Sequence, residues 1–264
     1  MKKNKIRRNI FIISVFIFLY LPIFILVIYS FNASKMNIVF THFTLKWYKE
    51  LLSNTTLIEA FRNTIIIAVT STVISTILGT ISAVGLNKYD FKGKGFINSL
   101  IYIPIVIPEI VLGISLLSVY TLFHLELGIT SIIIAHITFS IPYVITSVRS
   151  TLNALSKEIE EASYDLGASK LKTFTKVYLP LTISGAFNGS LMVFIPAIGY
   201  FFITDILGGG KIMIIGNLIK NQFLTARNWP FGAAISIFLI IISLLLVRLY
   251  RKIGGDMDEL GGGI

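Results

Sequence analysis

The amino-acid sequence predicts an all-α, polytopic membrane protein with six transmembrane helices. Hydrophobic residues make up 55% of the 264 residues, charged residues only 14%, and the mean hydropathy is +0.82. A water-facing sphere of this size has too little polar surface to cover so much apolar content. The composition therefore excludes a secreted or cytosolic globular enzyme. The sequence also contains no cysteine, which excludes disulfides, thiolate metal sites and cysteine nucleophiles.

Six apolar runs, separated by clusters of charge, define the predicted helices. Each run is long enough to cross a bilayer core of about 30 Å, which takes about 20 helical residues. The third run contains Pro104, Pro108 and Glu109, and its prolines predict a kink that frees backbone carbonyls. The fourth contains His136 and Pro142. In chain order, the predicted helices lie near residues 10–31, 61–86, 96–120, 129–148, 179–204 and 231–247.

The basic residues predict how the chain is oriented. The first run is about twice as long as the apolar core of a signal peptide and lacks a small-x-small cleavage site, so we expect a retained helix. Of the 23 basic residues, 16 lie at the two termini and in the second and fourth connections, and 7 lie on the opposite face. The positive-inside rule then places both termini in the cytoplasm. Most of the basic residues behind the net charge of +10 are explained by the orientation of the chain in the membrane. The charge therefore does not indicate a nucleic-acid partner.

The cytoplasmic connection between the fourth and fifth runs, residues 149–178, carries the most informative pattern. Ser156 ahead of an acidic turn predicts a capped helix N terminus. Gly167 is expected to end that helix in the left-handed conformation, and a second short helix is expected to follow. Apolar residues recur on the first helix at three- and four-residue spacing, which gives a stripe that can sit in a groove. The stripe consists of Ile159, Ala162 and Leu166.

A fixed spacing of glycine and proline follows this acidic turn. Three residues separate the triplet Glu161-Ala162-Ser163 from Gly167, and nine separate Gly167 from Val177. One residue then separates Val177 from the pair Leu179-Pro180. This arrangement resembles the EAA loop of bacterial ABC-importer permeases, Glu-Ala-Ala-x3-Gly-x9-Ile-x-Leu-Pro. The spacing agrees throughout, and only the second alanine and the isoleucine are replaced. The residues concerned are Glu161, Ala162, Ser163, Gly167, Val177, Leu179 and Pro180.

The resemblance implies a multi-pass protein of the bacterial cytoplasmic (inner) membrane with the type I, MetI-like permease fold. Its coupling helix would insert into a cleft of an ATP-binding subunit, where Glu161 would make the polar contact. Ala162 and Gly167 would allow close approach, and Pro180 would start the fifth helix. The alternative is a capped surface loop without a partner, since capping alone predicts such an acidic start.

The resemblance also implies the partners and the domain organisation. It implies a dimer of ATP-binding subunits that holds ATP and magnesium, a second homologous permease subunit, and an extracytoplasmic binding protein. The chain itself would be a transport subunit, not an enzyme, with no cofactor of its own. Residues 1–31 would form the N terminus and first helix, 59–249 the ABC transmembrane domain, and 250–264 a cytoplasmic tail.

Further stretches narrow the resemblance to the permease subunits of spermidine/putrescine importers. Residues 43–52 and 107–115 are similar to one of the two subunit types in such importers. Residues 201–211, 215–223 and 227–234 are more similar to the other type. Both subunit types therefore stay open, as does the choice between spermidine and putrescine.

A polyamine path should offer carboxylates for ammonium groups and aromatic faces for cation-π contact. Glu109 lies within the third run, where a carboxylate is expected to face the bundle interior, as a substrate contact or a structural acid. Asp205 follows the fifth run near Tyr200 and is either an outer-mouth acid or a cap of the glycine turn. Trp47 and Trp229 fit an aromatic belt as well as a substrate contact.

Other functions are weighed against these residues. The three histidines lack metal-ligand spacing, and His136 is typical of a core hydrogen-bond donor. The glycine run before Lys211 does not match a phosphate-binding loop. A permease for another solute, such as iron, a sugar or thiosulfate, remains the alternative, although acids at 109 and 205 favour a cation over an anion. A membrane scaffold or an intramembrane enzyme is less well supported, because paired acids, histidine motifs and Ser/Lys dyads at membrane depth are missing from the sequence.

Overall fold

A computed structural model describes residues 2–35, 39–154 and 158–261. Ser156, predicted to cap the first cytoplasmic helix, lies outside the described residues. Within these ranges the chain is helical, and one isolated antiparallel bridge joins Asn32 to Phe43. The helices are α1 (Lys2–Tyr29), α2 (Lys46–Ser53), α3 (Thr55–Lys88), α4 (Lys94–Val106), α5 (Glu109–Leu122), α6 (Ile129–Asn153), α7 (Glu158–Asp165), α8 (Lys170–Thr173), α9 (Leu179–Gly199), α10 (Phe202–Leu207), α11 (Ile215–Leu224) and α12 (Trp229–Gly261).

The membrane spans confirm the predicted fold class. Within the described residues, five helical segments are long and apolar enough to cross a bilayer, and the bent pair α4–α5 makes a sixth if it counts as one span. The five are Arg7–Tyr29, Thr55–Lys88, Ile129–Asn153, Lys170–Gly199 and Trp229–Lys252. All six predicted runs are therefore helical.

The third predicted span is not the continuous helix that the sequence suggested. It breaks between α4 and α5, and the two pieces meet at 113°. Ile107 is extended at ψ 135° and Pro108 precedes the first turn of α5. Proline disfavours the helical conformation of the residue before it, which explains why the helix ends there. The kink was predicted, but its size places Glu109 at a helix start instead of mid-helix.

The fifth span also differs from its prediction. The helix is continuous from Lys170 to Gly199, because a π-helical turn, Phe174–Tyr178, joins α8 to α9. Pro180 lies in the first turn of α9 but does not begin the span. Proline lacks an N–H and its ring clashes with the carbonyl four residues back, and the π turn directly precedes it. The helix ends at Tyr200, which is extended, so residues up to 204 are not part of it.

The chain forms two compact units, Met1–Ile58 with Asn217–Ile242, and Glu59–Gly216 with Ser243–Ile264. In the first unit, the loop after α1 is organised around two buried side chains. The Trp47 indole N–H donates to the Asn32 carbonyl oxygen at 2.7 Å. The Asn32 amide donates to the Val39 carbonyl at 2.9 Å, and its Oδ1 accepts from the Thr41 N–H at 3.0 Å.

In the second unit, α6 is the central helix and packs closely against α9 and α3. A Cβ added to Gly189 would lie 3.0 Å from the Val144 Cα, and one added to Gly79 would lie 2.6 Å from the Val144 Cβ. The Ser147 hydroxyl donates to the Gly185 carbonyl oxygen of α9 at 2.8 Å. Small residues at these crossings let helix backbones approach, as in other membrane bundles. This packing fixes the walls of the site described next.

Candidate functional site

A cavity of about 340 Å³ lies in the second unit, where the break between α4 and α5 faces α6 and the end of α9. Five of its lining residues are prolines or directly follow one, so the breaks and bends of these helices open the space. The wall combines a carboxylate and an imidazole with several aromatic rings. The lining residues that carry the argument are Pro104, Glu109, His136, Phe139, Tyr143 and Tyr200.

Glu109 reaches this cavity because the chain breaks just before it. The residue lies in the first turn of α5, where the helix dipole stabilises a negative charge. Its Oε1 atom is buried and has no hydrogen-bond partner among the described residues. A buried acceptor without a donor costs free energy unless a ligand or water supplies one. The position is therefore suited to a group that brings N–H donors or positive charge.

Two rings from different helices stack in the wall of the cavity. The ring centroids of His136 on α6 and Tyr200 after α9 lie 5.9 Å apart at 29°. His136 is only 2% exposed, and its Nε2 has no hydrogen-bond partner within the described part of the chain. The predicted role of His136 as a core hydrogen-bond donor therefore has no support at Nε2. Its isolation in an apolar run was a signal that sequence reasoning underweighted, since ionisable groups at membrane depth are commonly functional.

The structure brings Glu109 and Tyr200 together, but it does not place the other predicted path residues in this cavity. Asp205 is exposed on α10, and its N–H donates to the Phe201 carbonyl at 2.9 Å. Trp47 is 1% exposed, with its N–H bonded and its ring 6.1 Å from that of Phe231. Such a side chain has little free face for a ligand, which favours an anchoring role.

Trp229 lies in the first unit beside an apolar groove of about 820 Å³ formed with α1. Its ring meets that of Phe223 edge-on, with 5.2 Å between centroids. The groove contains no charged side chain among its lining residues. This environment is typical of a residue at an apolar helix contact.

The segment between α6 and α9 has the helix–turn–helix architecture that its sequence predicted. The helix α7 ends at Gly167, which has a φ of +77°. The Gly167 N–H donates to the Tyr164 carbonyl at 2.8 Å, and the Ala168 N–H donates to the Ser163 carbonyl at 3.1 Å. These two bonds form a Schellman motif, in which glycine avoids the strain of the left-handed conformation. The prediction that Gly167 closes this helix is confirmed.

The side chains of α7 divide into an inner and an outer face. Ser163 faces inward, and its hydroxyl is 2.8 Å from that of Thr173, which ties α7 to α8. Glu161 and Ala162 are exposed, and so is Leu166, at 88% of its surface. The exposed surface of α7 thus combines the acids Glu158, Glu161 and Asp165 with an apolar stripe. Leu179 and Pro180, further along the same loop pattern, are exposed at the start of α9.

Lys88 connects this segment to the membrane helices. It is the last residue of α3, and its Nζ donates to the Tyr164 hydroxyl of α7 at 2.8 Å. The same Nζ lies 5.4 Å from the Tyr164 ring centroid and 5.1 Å from that of Tyr178 in the π turn. Next to it, the Asn87 amide donates to the Asn153 side chain of α6 at 3.2 Å. Lys88 therefore joins α7 and the π turn to the end of α3, and the neighbouring Asn87 joins α3 to the end of α6.

This combination, a broken-helix cavity beneath helical spans and an exposed helical segment between two of them, defines a permease of the ABC-importer class. The same fold occurs in a bacterial ABC transporter that imports the acidic polysaccharide alginate, with a TM-score of 0.75 at 15% identity, covering 97% of this chain and 96% of that chain. It also occurs in the MetNI methionine ABC transporter, with a TM-score of 0.64 at 18% identity, covering 81% and 99%.

The chain belongs to the family of binding-protein-dependent transport system inner membrane components, whose sequence pattern matches residues 75–258. The spermidine/putrescine transport system permease protein PotC of Shigella flexneri is 31% identical over 260 residues, covering 98% of both chains. PotC of Haemophilus influenzae is 33% identical over 246 residues, covering 93% of this chain and 95% of its own. PotB of Escherichia coli K12 is 43% identical over 123 residues, covering 47% and 45%.

Proposed function

We propose that this chain is a membrane-spanning subunit of a bacterial inner-membrane importer that translocates a polyamine of the spermidine/putrescine class. The observation that supports a polyamine substrate is the cavity lined by the buried Glu109 carboxylate and by aromatic rings. A carboxylate attracts ammonium groups, and aromatic faces favour cations. The likeness to PotC along the full chain supports the same class.

The exposed outer face of α7 supports docking to an ATP-binding subunit. An acid and an apolar stripe on one short helix suit a cleft with a basic rim and an apolar floor. We infer that a dimer of such subunits binds ATP and magnesium and performs the hydrolysis. A second permease subunit completes the pathway, and an external binding protein delivers the polyamine. The similarity to both PotB and PotC supports a heterodimer of related permeases.

A permease for a sugar, iron or thiosulfate is the second candidate. A buried carboxylate would repel an anion such as thiosulfate, because the low dielectric around the cavity strengthens charge repulsion. A neutral sugar would leave the Glu109 charge without compensation. The cavity therefore favours an organic cation. The competition experiment below tests whether iron is also a substrate.

Glu109→Gln tests the proposed function. The assembled transporter, with its ATP-binding subunits and loaded binding protein, is reconstituted in proteoliposomes, and uptake of labelled spermidine is measured. Because the substitution keeps the side-chain shape and removes the charge, uptake is expected to fall about tenfold or more while assembly is unchanged.

Excess putrescine should compete with spermidine in the wild-type transporter, whereas ferric iron and maltose should not. The proposal fails if the wild-type complex takes up no polyamine. If polyamine is taken up equally well by wild type and Glu109→Gln, the carboxylate is not part of the path.

A further inference from the structure

His136 is a buried polar group that the permease assignment does not explain. It lies on α6, is 2% exposed, and faces the same cavity as Glu109. In the described part of the chain, neither His136 Nε2 nor Glu109 Oε1 has a hydrogen-bond partner. The two atoms therefore do not bond to each other, although both residues line one space of about 340 Å³.

One carboxylate oxygen and one imidazole nitrogen lack partners in this cavity, and both can accept from a donor when the imidazole proton is on Nδ1. A buried imidazole that served only packing would be expected to bond a carbonyl or hydroxyl of a neighbouring helix, because an unmet buried polar atom is costly. A primary ammonium carries three N–H donors. It can donate to a carboxylate and to an imidazole nitrogen at the same time, whereas a quaternary ammonium or a methylene can donate to neither.

We propose that His136 is a second binding residue for the substrate and accepts a hydrogen bond from the ammonium group that Glu109 neutralises. This inference rests on the proposed polyamine function. It adds the chemistry of one half-site, by which we mean Glu109, His136 and Tyr200 in the wall of the cavity. In it, Nε2 acts as the acceptor in the tautomer that carries its proton on Nδ1. Tyr200, stacked on the imidazole at 5.9 Å, holds the ring in place and presents an aromatic face.

The half-site holds a single ammonium group of a polyamine. Among the described residues, one carboxylate lines the cavity, so it neutralises one ammonium group. Phe139 and Tyr143 line the adjoining wall and suit the methylene segment that follows that group. The remaining ammonium groups of a polyamine require acids outside this cavity. The half-site thus recognises an ammonium group with at least two N–H donors, which both primary and secondary amines supply.

The test compares two substitutions of His136 in the assembled permease–ATPase complex. Equilibrium binding of labelled spermidine to the purified complex is measured without binding protein. His136→Phe keeps a ring against Tyr200 but removes the acceptor, and affinity is expected to fall about tenfold or more. His136→Gln keeps an acceptor near the same point, and affinity is expected to stay within about threefold. His42→Phe, at an exposed histidine in the first unit, is the matched control and should bind as wild type does.

The outcomes separate the two levels of inference. If the wild-type complex binds no spermidine, the proposed function is wrong and the half-site with it. If wild type binds and His136→Phe binds equally well, the polyamine function stands and the role of His136 is refuted. Equal losses in the Phe and Gln variants, with the complex intact, would show that the imidazole is structural, which also overturns the proposal.

Discussion

Single residues decide how α7 and α8, the coupling segment proposed to dock to the ATP-binding subunit, are held together. Ser163 stands where the EAA pattern has alanine, and its hydroxyl bonds to that of Thr173 across two short helices. Thr173 is fully buried and Ser163 is 7% exposed. The departure from the pattern therefore adds an internal contact and leaves the outer, docking face of α7 unchanged.

Ser163→Ala should loosen the coupling segment. It leaves the Thr173 hydroxyl buried without its partner, at a cost of about 1–3 kcal/mol. Hydrogen exchange of the amides in α7 and α8, measured on the assembled complex, should become faster. The double variant with Thr173→Val removes both hydroxyls and should recover part of the protection. If the single and double variants exchange alike, the hydroxyl pair does not hold the segment.

The sequence predicted some residues of the candidate site but not the full set. Glu109 and Tyr200 were chosen for their charge and ring, and both line the cavity. The burial of Trp47 was not predictable, because its bond to the Asn32 carbonyl depends on how the loop after α1 folds back. The placement of His136 opposite the α4–α5 break depends on packing between helices distant in sequence. Sequence spacing carries no information on that contact.

At the scale of the elements, the sequence predicted the positions and lengths of the apolar helices. It predicted where a helix breaks but not how sharply the chain bends there. Hydropathy determines where a span can lie, and proline determines where it can bend. The bend of 113° and the π turn at Phe174–Tyr178 arise from packing that the local sequence does not specify. Both irregularities lie next to the two regions proposed to be functional, the cavity and the α7–α8 segment, and irregular helical geometry is common at such sites.

The Lys88 bridge gives an element-scale prediction about coupling. Lys88 joins α3 to α7 and to the π turn through one hydrogen bond and two ring contacts. Lys88→Met removes the charge but keeps the side-chain length. The spermidine taken up per ATP hydrolysed should fall about threefold or more, since cation-π contacts contribute roughly 0.5–2 kcal/mol. Co-purification with the ATP-binding subunit should be retained.

Two comparisons make the Lys88 result interpretable. Lys92→Met, at an exposed lysine in the same connection, should leave the uptake per ATP unchanged. Glu161→Lys reverses the charge on the outer face of α7 and should abolish co-purification, which Lys88→Met should not. An unchanged uptake per ATP in Lys88→Met would show that the bridge does not transmit motion.

At the scale of the whole molecule, the distribution of basic residues bears on the number of membrane crossings. Six crossings place 16 basic residues on one face and 7 on the other, which is the asymmetry that the positive-inside rule expects. The count of spans is five or six, depending on whether the bent α4–α5 pair crosses the bilayer or re-enters it. The crossing arrangement is favoured by this charge asymmetry and places both termini on the same side of the membrane.

Single cysteines can decide between these arrangements, because the chain has none of its own. Lys92→Cys lies before α4 and Leu125→Cys lies after α5, at exposed positions on either side of the bent pair. If the pair crosses, a membrane-impermeant maleimide added to intact cells should label position 125 and spare position 92 until the cells are lysed. Lys252→Cys should behave like position 92. Protection of both 92 and 125 in intact cells would mean that the pair is re-entrant, and the even number of crossings inferred from charge would be wrong.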